Sequence, residues 1–577
     1  MLERIRAILV VVVTLSIIAC GDEPEPVGAD DVPVADHILR SGRIVTMNGA
    51  SDIVAAVAIA DGKILAVGEN EQIDGFAGSE TQVIDLDGKV VTPGMVDSHI
   101  HALGYGLHIS QHVMFSTGEP LTVQDMLDGI EDRAQQVADG QWIYVRGPYS
   151  LDFVDEGRLP NRTELDLVAP NNPVFINMQG HVGVVNSAAI ALSGVTKDTP
   201  NPKNGFYMHD PNTGELNGTM YEFPAFTPFL RHLPPYGFDV RVNAARAANE
   251  VFTRLGITTV VNLWAEPENL KVLQHLESLD ELTVRWSMVY RLAPEVFKDK
   301  SHADIEGILQ DFGLPDESSS DWVKVNGVKI IYDGFAEAAY MHDEYLEDRF
   351  GEGFKGVAFW NKDSMQAVME VCAANDIQVF VHVAGDQALD DVLDTMDAVN
   401  EQYPLAGRRW TLEHASTEPT AENLQQVKEF ELFVSTQQAM GWSIGKTFKE
   451  TWGEERGATF APNRSWLDAL GHPYVKAGSD NRPINPFIGF WSFIVREDVD
   501  GRVGRPDQVL AREDVLRMYT ANGTYGIFAE NDWGKIEAGQ FADLLVLSDD
   551  IFEVPAEQIR SIQPLMTMVN GKFVYVQ

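Results

Sequence analysis

The chain has 577 residues, too many for one ordinary core, so two or three domains are expected. Its composition is globular, with 45% hydrophobic, 22% charged and 9% aromatic residues and no low-complexity core segment. With 86 acidic against 43 basic residues the net charge is −43, which repels nucleic acid and anionic membrane surfaces and argues against both as partners.

At the N-terminus, Arg4 and Arg6 precede an apolar run, Ala7 to Ala19, that is short for a bilayer span. The run ends Ser16-Ile17-Ile18-Ala19-Cys20-Gly21, so residues 1–20 read as a bacterial lipoprotein signal peptide with Cys20 lipidated. The alternatives are a plain secretory signal or a membrane anchor. Export to the periplasmic side of the outer membrane follows, with the lipid as the only membrane contact. Residues 21–36 are acidic and proline-containing and read as a flexible tether. The other cysteine, Cys372, shares a helical apolar pattern with Met365, Val368 and Met369 and reads as a buried thiol.

Residues 37–95 alternate apolar and polar side chains between Gly and Asp turns, predicting short antiparallel strands. Asp61-Gly62 and Asp87-Gly88 are hairpin signals. The same texture returns over 529–577, which suggests one β-sandwich assembled from both ends of the chain.

The run Val90-Val91-Thr92-Pro93-Gly94-Met95-Val96-Asp97 leads into Ser98-His99-Ile100-His101. On a strand, His99 and His101 share one face, and neutral imidazoles so placed can share a divalent metal. Two solvated histidines at a strand end are the alternative reading. From residue 96 to 528, β-branched runs alternate with helix-like stretches, predicting βα repeats and a parallel barrel whose reactive groups sit at the C-terminal strand ends. Residues 107–239 exceed one crossover and predict an inserted lid rich in aromatics (Trp142, Tyr144, Tyr149, Phe153, Phe206, Tyr207), most of them lid core. Among the later strand ends, Lys329 shares an apolar face with Val325, Gly327 and Ile331. There desolvation favours a neutral amine able to take up carbon dioxide, unless the lysine pairs with Asp333 or another acid. His382 ends "VFVHV", His414 ends "TLEH" and Asp480 closes "AGSD". Together with the first pair they make an inventory suited to one or two zinc-like ions and a base.

The ordered motifs "TPGMVDSHIHALGYG", "GHVGVVNSAAI", "VNGVKIIYDG", "VHVAGDQAL", "LEHAS", "AGSDNRP" and "GKIEAGQFADLLVLSDD" resemble the amidohydrolase superfamily, specifically the amidohydrolase-3 (YtcJ-like) metal-dependent hydrolases. The resemblance implies a distorted (β/α)8 TIM barrel with the composite β-sandwich, and a divalent metal centre, usually zinc. It implies His99 and His101 as first-strand ligands, Lys329 as a carboxylated bridge, His382 and His414 as further ligands, and Asp480 as ligand and general base. Glu413 and Asp386 match positions expected to orient ligands. The chain departs from the pattern at Phe335-Ala336-Glu337, Asn262 and Ser416, all expected near the pocket.

The chemistry expected of this set is attack by a metal-activated hydroxide on an amide, N-acyl or formamide-type carbon, with Asp480 passing the proton to the departing amine. His181, in "QGHVG", is the expected oxyanion stabiliser, with a helix cap as its alternative role. A small amide-like molecule is the expected substrate. A ring-deaminating variant, or a catalytically retired lipid-anchored binding protein on the same barrel, are the other readings, and pairing as a homodimer is left open.

Overall fold

The computed structural model describes residues 33–577 apart from Thr117, Gln179, 316–318 and 347–350; Cys20 and the signal segment lie outside the described residues. Eight parallel strands form the central sheet in sequential order: β1 (Met95–Ile100), β2 (Ile257–Ala265), β3 (Arg285–Arg291), β4 (Val323–Ile331), β5 (Gln378–Val383), β6 (Thr411–His414), β7 (Phe433–Thr436) and β8 (Val475–Ala477). Their near-continuous Val, Ile and Phe runs are buried on both faces, as a helix-wrapped parallel sheet requires. Helices such as Pro267–Ser278, Lys362–Ala374 and Asp386–Asn400 make the crossovers. Cys372 is a free, buried thiol on the second of these.

The barrel closes between β1 and the end of β8 with few ladder bonds. Ser98 Oγ donates to the Ala477 carbonyl at 2.6 Å, and the Asp480 N–H donates to the His99 carbonyl at 2.7 Å. Gly478 permits this seam, because a Cβ there would lie 2.5 Å from the His99 nitrogen. Closure therefore brings the residues after β8 against those ending β1.

Beneath the barrel lie two further sheets. A four-stranded sheet runs in the order Lys63–Gly68, Ala56–Ala60, Ala35–Arg40, Ala77–Asp85, and a six-stranded sheet joins Lys572–Val576, Pro564–Val569 and Leu544–Leu547 to Val90–Pro93, Arg43–Val45 and Ile53–Val54. Leu39, Val57 and Ile59 from the start of the chain share a core with Leu544, Val546 and Met568 from its end. Two local expectations are corrected. The strands are not all antiparallel: Ala35–Arg40 pairs parallel with Ala77–Asp85, and Arg43–Val45 pairs parallel with Val90–Pro93. Asp61-Gly62 does turn a hairpin, whereas Asp87-Gly88 takes the same left-handed pair of conformations (φ 48° and 77°) but passes the chain from one sheet to the other. A type I′ turn fixes a local reversal; which strands then pair depends on where apolar faces find partners.

Between helices Ala102–Gln111 and Phe238–Arg254 stands a third, six-stranded sheet, ordered Phe206–His209, Leu216–Tyr221, Val182–Val185, Val174–Met178, Ile143–Arg146, Val113–Met114. It carries one apolar cluster around Ile130, Val145 and Ile176 and a second around Phe175, Tyr207 and Phe226. Among the described residues no helix is long and apolar enough to cross a membrane.

Candidate metal centre

The strand ends converge as the barrel geometry demands. His99, Lys329, His382 and His414 project from the C-terminal ends of β1, β4, β5 and β6, and all are buried. His101 lies one residue past β1, at the N-cap of Ala102–Gln111. Its Nε2 is 2.8 Å from Asp480 Oδ1, and His99 Nε2 is 3.5 Å from the same oxygen. One ligand atom from each of His99, His101 and Asp480 falls within 4.8 Å of the others. The His414 ring centroid is 4.7 Å from that of His99 and 4.5 Å from that of His382. Backbone strain marks the same place: His414, Asp480 and Asn481 all have positive φ (71°, 49° and 61°), a conformation that costs about 1–3 kcal/mol per residue outside glycine.

Partners set the ring orientations. Glu413 Oε2 accepts from His99 Nδ1 at 2.6 Å, which leaves the Nε2 lone pair facing Asp480. Burial, reinforced by Lys329, pulls His99 below the usual imidazole range, and burial drives His382 and His414 well below it. Burial works to raise the Asp480 carboxyl, but His99, the hydrogen bond from His101 and the Arg482 guanidinium outweigh it and hold the group well below the carboxylate range. Lys329 Nζ is buried with no hydrogen-bond partner among the described residues, and burial brings its pKa down to about 8.

Asp333, the alternative partner for that lysine, is committed elsewhere. Its carboxylate accepts the backbone N–H groups of Tyr340, Ala384 and Gly385 and so shapes the turn beyond His382. His99, His101 and Asp480 are a donor set that fits a divalent metal, and the orphaned Lys329 amine, His382 and His414 line the same cavity. The orienting role expected of Asp386 is corrected: its Oδ1 accepts the backbone N–H groups of His342 and Gln387 at 2.8 Å each, because the residue opens helix Asp386–Asn400.

A cavity of about 320 Å³ opens over this cluster, and Lys329, His181 and Asp480 all line it with the four histidines. His181 does not cap the next helix; Asn186 does, accepting the Ala189 N–H. His181 Nδ1 instead meets Glu222, 3.1 Å from Oε2 and 3.3 Å from Oε1. The departures from the family pattern sit close by. Phe335 packs against the rings of His181, His382 and His414, and Asn262 Oδ1 accepts the Ala102 N–H at 2.9 Å, fixing the helix behind His101.

Several site residues were missed by the sequence reading. Trp264 and Phe223 form an aromatic wall, 5.3 Å apart, with the Arg291 guanidinium 4.5 Å over Trp264. Arg146 and Tyr144, two apart on a lid strand, share a face, and Asn177 is the cross-strand neighbour of Arg146. Arg482 follows Asp480, its Nε 3.7 Å from Asp480 Oδ2. Arg482 stood inside a quoted motif and Tyr144 among the aromatics named for the lid, so these two had a readable signal.

The fold is a (β/α)8 barrel with a candidate metal-binding cluster at its strand ends. Residues 82–575 match the amidohydrolase family (Amidohydro_3), and the chain belongs to it. It is 28% identical over 556 residues to the N-substituted formamide deformylase of Arthrobacter pascens, covering 94% of this chain and 98% of that one. It is 25% identical to the putative amidohydrolase YtcJ of Bacillus subtilis strain 168, covering 93% and 99%. In fold it is similar to a crystal structure of an uncharacterised metal-dependent hydrolase from Pyrococcus horikoshii OT3, with a TM-score of 0.69, 22% identity, and coverage of 90% and 99%.

Proposed function

We propose that this protein hydrolyses a non-peptide C–N bond, an amide, N-acyl or formamide-type linkage bearing an apolar substituent on nitrogen. The observation that carries the reading is the convergence of His99, His101, Lys329, His382, His414 and Asp480 on one cavity. The relationship to an N-substituted formamide deformylase favours the formamide type within that class.

His99, His101, His382, His414 and Asp480 would hold one or two divalent ions, zinc being the preferred identity for this N-rich set, with Lys329 as a carbamate between them. A bound ion of this kind supplies Lewis-acid polarisation of the carbonyl and acidification of water. The chain's own groups do the rest. Asp480 accepts the proton of the attacking water. Trp264, Phe223 and Leu230 receive the nitrogen substituent, and the lid sheet excludes solvent, which strengthens every polar interaction below it. Lipidation at Cys20 would tether the enzyme on the periplasmic side of the outer membrane, a reading supported by residues 4–21 of the sequence.

The test is a hydrolysis panel of N-alkyl and N-benzyl formamides, acetamides and ring amidines, run on wild type and Asp480→Asn. Turnover of formamides that falls about 10²–10⁴-fold in Asp480→Asn is the expected result. Turnover of ring amidines alone would establish a deaminase instead.

A further inference from the structure

One buried acid, behind the cavity lining at His181, has no part in holding the metal ligands. Glu222 has no exposed surface, and both its main chain and its side chain engage the same histidine. Its N–H donates to the His181 carbonyl at 2.8 Å, while its carboxylate takes His181 Nδ1. Glu222 does this from φ 65° and ψ 151°, a region that side-chain-bearing residues almost never occupy and that persists only where surrounding structure enforces it. Phe223 and Phe335 flank the imidazole, with ring centroids 6.4 Å and 5.7 Å away. With Nδ1 taken, Nε2 is the ring's remaining polar atom, on a ring that lines the cavity. The ionisable groups around the pair are Glu337 and, beyond it, Asp333, whose carboxyls burial pushes up, and Arg482.

We infer that His181 donates the proton to the departing amine and that Glu222 is the residue that positions it. The inference rests on the amide-hydrolase reading above and assigns that reaction its second acid–base group. Water gives its hydroxyl to the acyl carbon and its proton to Asp480. The C–N bond then breaks with its electron pair on nitrogen, which takes the Nε2 proton, while the ring keeps the Nδ1 hydrogen directed at Glu222. Once the products have left and water re-enters, Asp480 releases its proton to solvent and Nε2 takes one back, so amide and water give carboxylic acid and amine. Asp480 is held at the first-strand pair, its Oδ1 2.8 Å from His101 Nε2 and its Oδ2 3.7 Å from Arg482 Nε. A carboxylate on Nδ1 stabilises the ring while both nitrogens carry protons and fixes where Nε2 points.

Two measurements on the metal-loaded full chain test this. The first compares an N-alkyl formamide with the formate ester of the corresponding alcohol, whose oxygen leaves with much less need of a proton. Glu222→Gln and His181→Asn are expected to lower kcat on the amide by about 10²–10⁴-fold, with KM moving much less, and to lower the amide-to-ester ratio of kcat about 100-fold. Equal losses on amide and ester would overturn the assignment and make His181 an oxyanion donor. The second is the ¹⁵N-histidine spectrum without substrate, with His181 assigned by its absence in His181→Asn. A hydrogen-bonded Nδ1–H that shifts in Glu222→Gln is expected, and a bare Nδ1 in the wild type would overturn the dyad. If neither amide nor ester is turned over, the amide-hydrolase reading falls while the spectrum still decides the pair.

Discussion

Glu413 Oε2 lies 2.6 Å from His99 Nδ1 across 314 residues of sequence, and neither side chain reaches solvent. The bond joins β6 to β1 across the barrel mouth and selects the tautomer in which His99 offers Nε2 to the site. Glu413→Gln retains an acceptor of the same shape but loses the charge. Metal affinity is expected to fall about 10–100-fold with the fold intact, which competition with a chromogenic chelator measures directly.

Lys329 invites a chemical rescue. A carbamate needs a neutral amine, and burial brings this one to about 8, so carbon dioxide uptake is accessible near neutral pH. Intact-protein mass spectrometry in bicarbonate buffer should show one carboxyl group added to wild type and none to Lys329→Ala. Lys329→Ala should lose metal and regain part of it in the presence of acetate or propionate. An unmodified lysine in a fully metal-loaded protein would leave only a single-ion site.

The seam at Gly478 predicts a defect from a single methyl group. A Cβ there meets His99 at 2.5–2.9 Å, main chain included, so the strand must move. Gly478→Ala should therefore release metal more readily than wild type while keeping the far-ultraviolet circular dichroism of the barrel. Unaltered metal retention would show that the seam gives without disturbing His99.

The barrel is fastened to the sheets below it by a fully buried ion pair. Arg285 Nε and Nη2 donate to Asp543 at 2.6 Å and 2.9 Å, and the guanidinium lies over Trp322, Trp533 and Phe541. Asp543→Ala leaves that cation unpaired and also strips the acceptor of the Asn570 N–H. A loss of about 3–5 kcal/mol is expected in urea denaturation; a loss below about 1 kcal/mol would mean that the aromatic stack alone holds the cation.

The clustering of the strand-end residues was legible because a barrel strand announces itself as an apolar run and its last residue is then the one facing the loops. Period-two alternation put His99 and His101 together, although His101 proves to sit past the strand, where the chain is already turning into a helix. Asp386 was misread because an acid after a Gly-turn serves equally as the first residue of a helix, and only its neighbours distinguish the two. Arg146, Trp264 and Glu222 were not legible at all. Arg146 reaches the cavity from the lid and Trp264 from the end of β2, while Glu222 stands behind His181; each depends on how the lid sheet docks over the barrel, a relation between distant segments that no local pattern encodes. Glu222 was hidden further by its backbone, since nothing in "MYEFP" foretells a left-handed glutamate.

The metal content of the purified full chain tests the central claim most directly. Inductively coupled plasma mass spectrometry on wild type, Asp480→Asn and a His99→Asn/His101→Asn double variant, after dialysis from zinc-containing buffer, should give one or two equivalents in wild type and a marked loss in the double variant. A metal-free wild type, or a double variant that retains the full wild-type content, would contradict the assignment of this strand-end cluster as the metal centre.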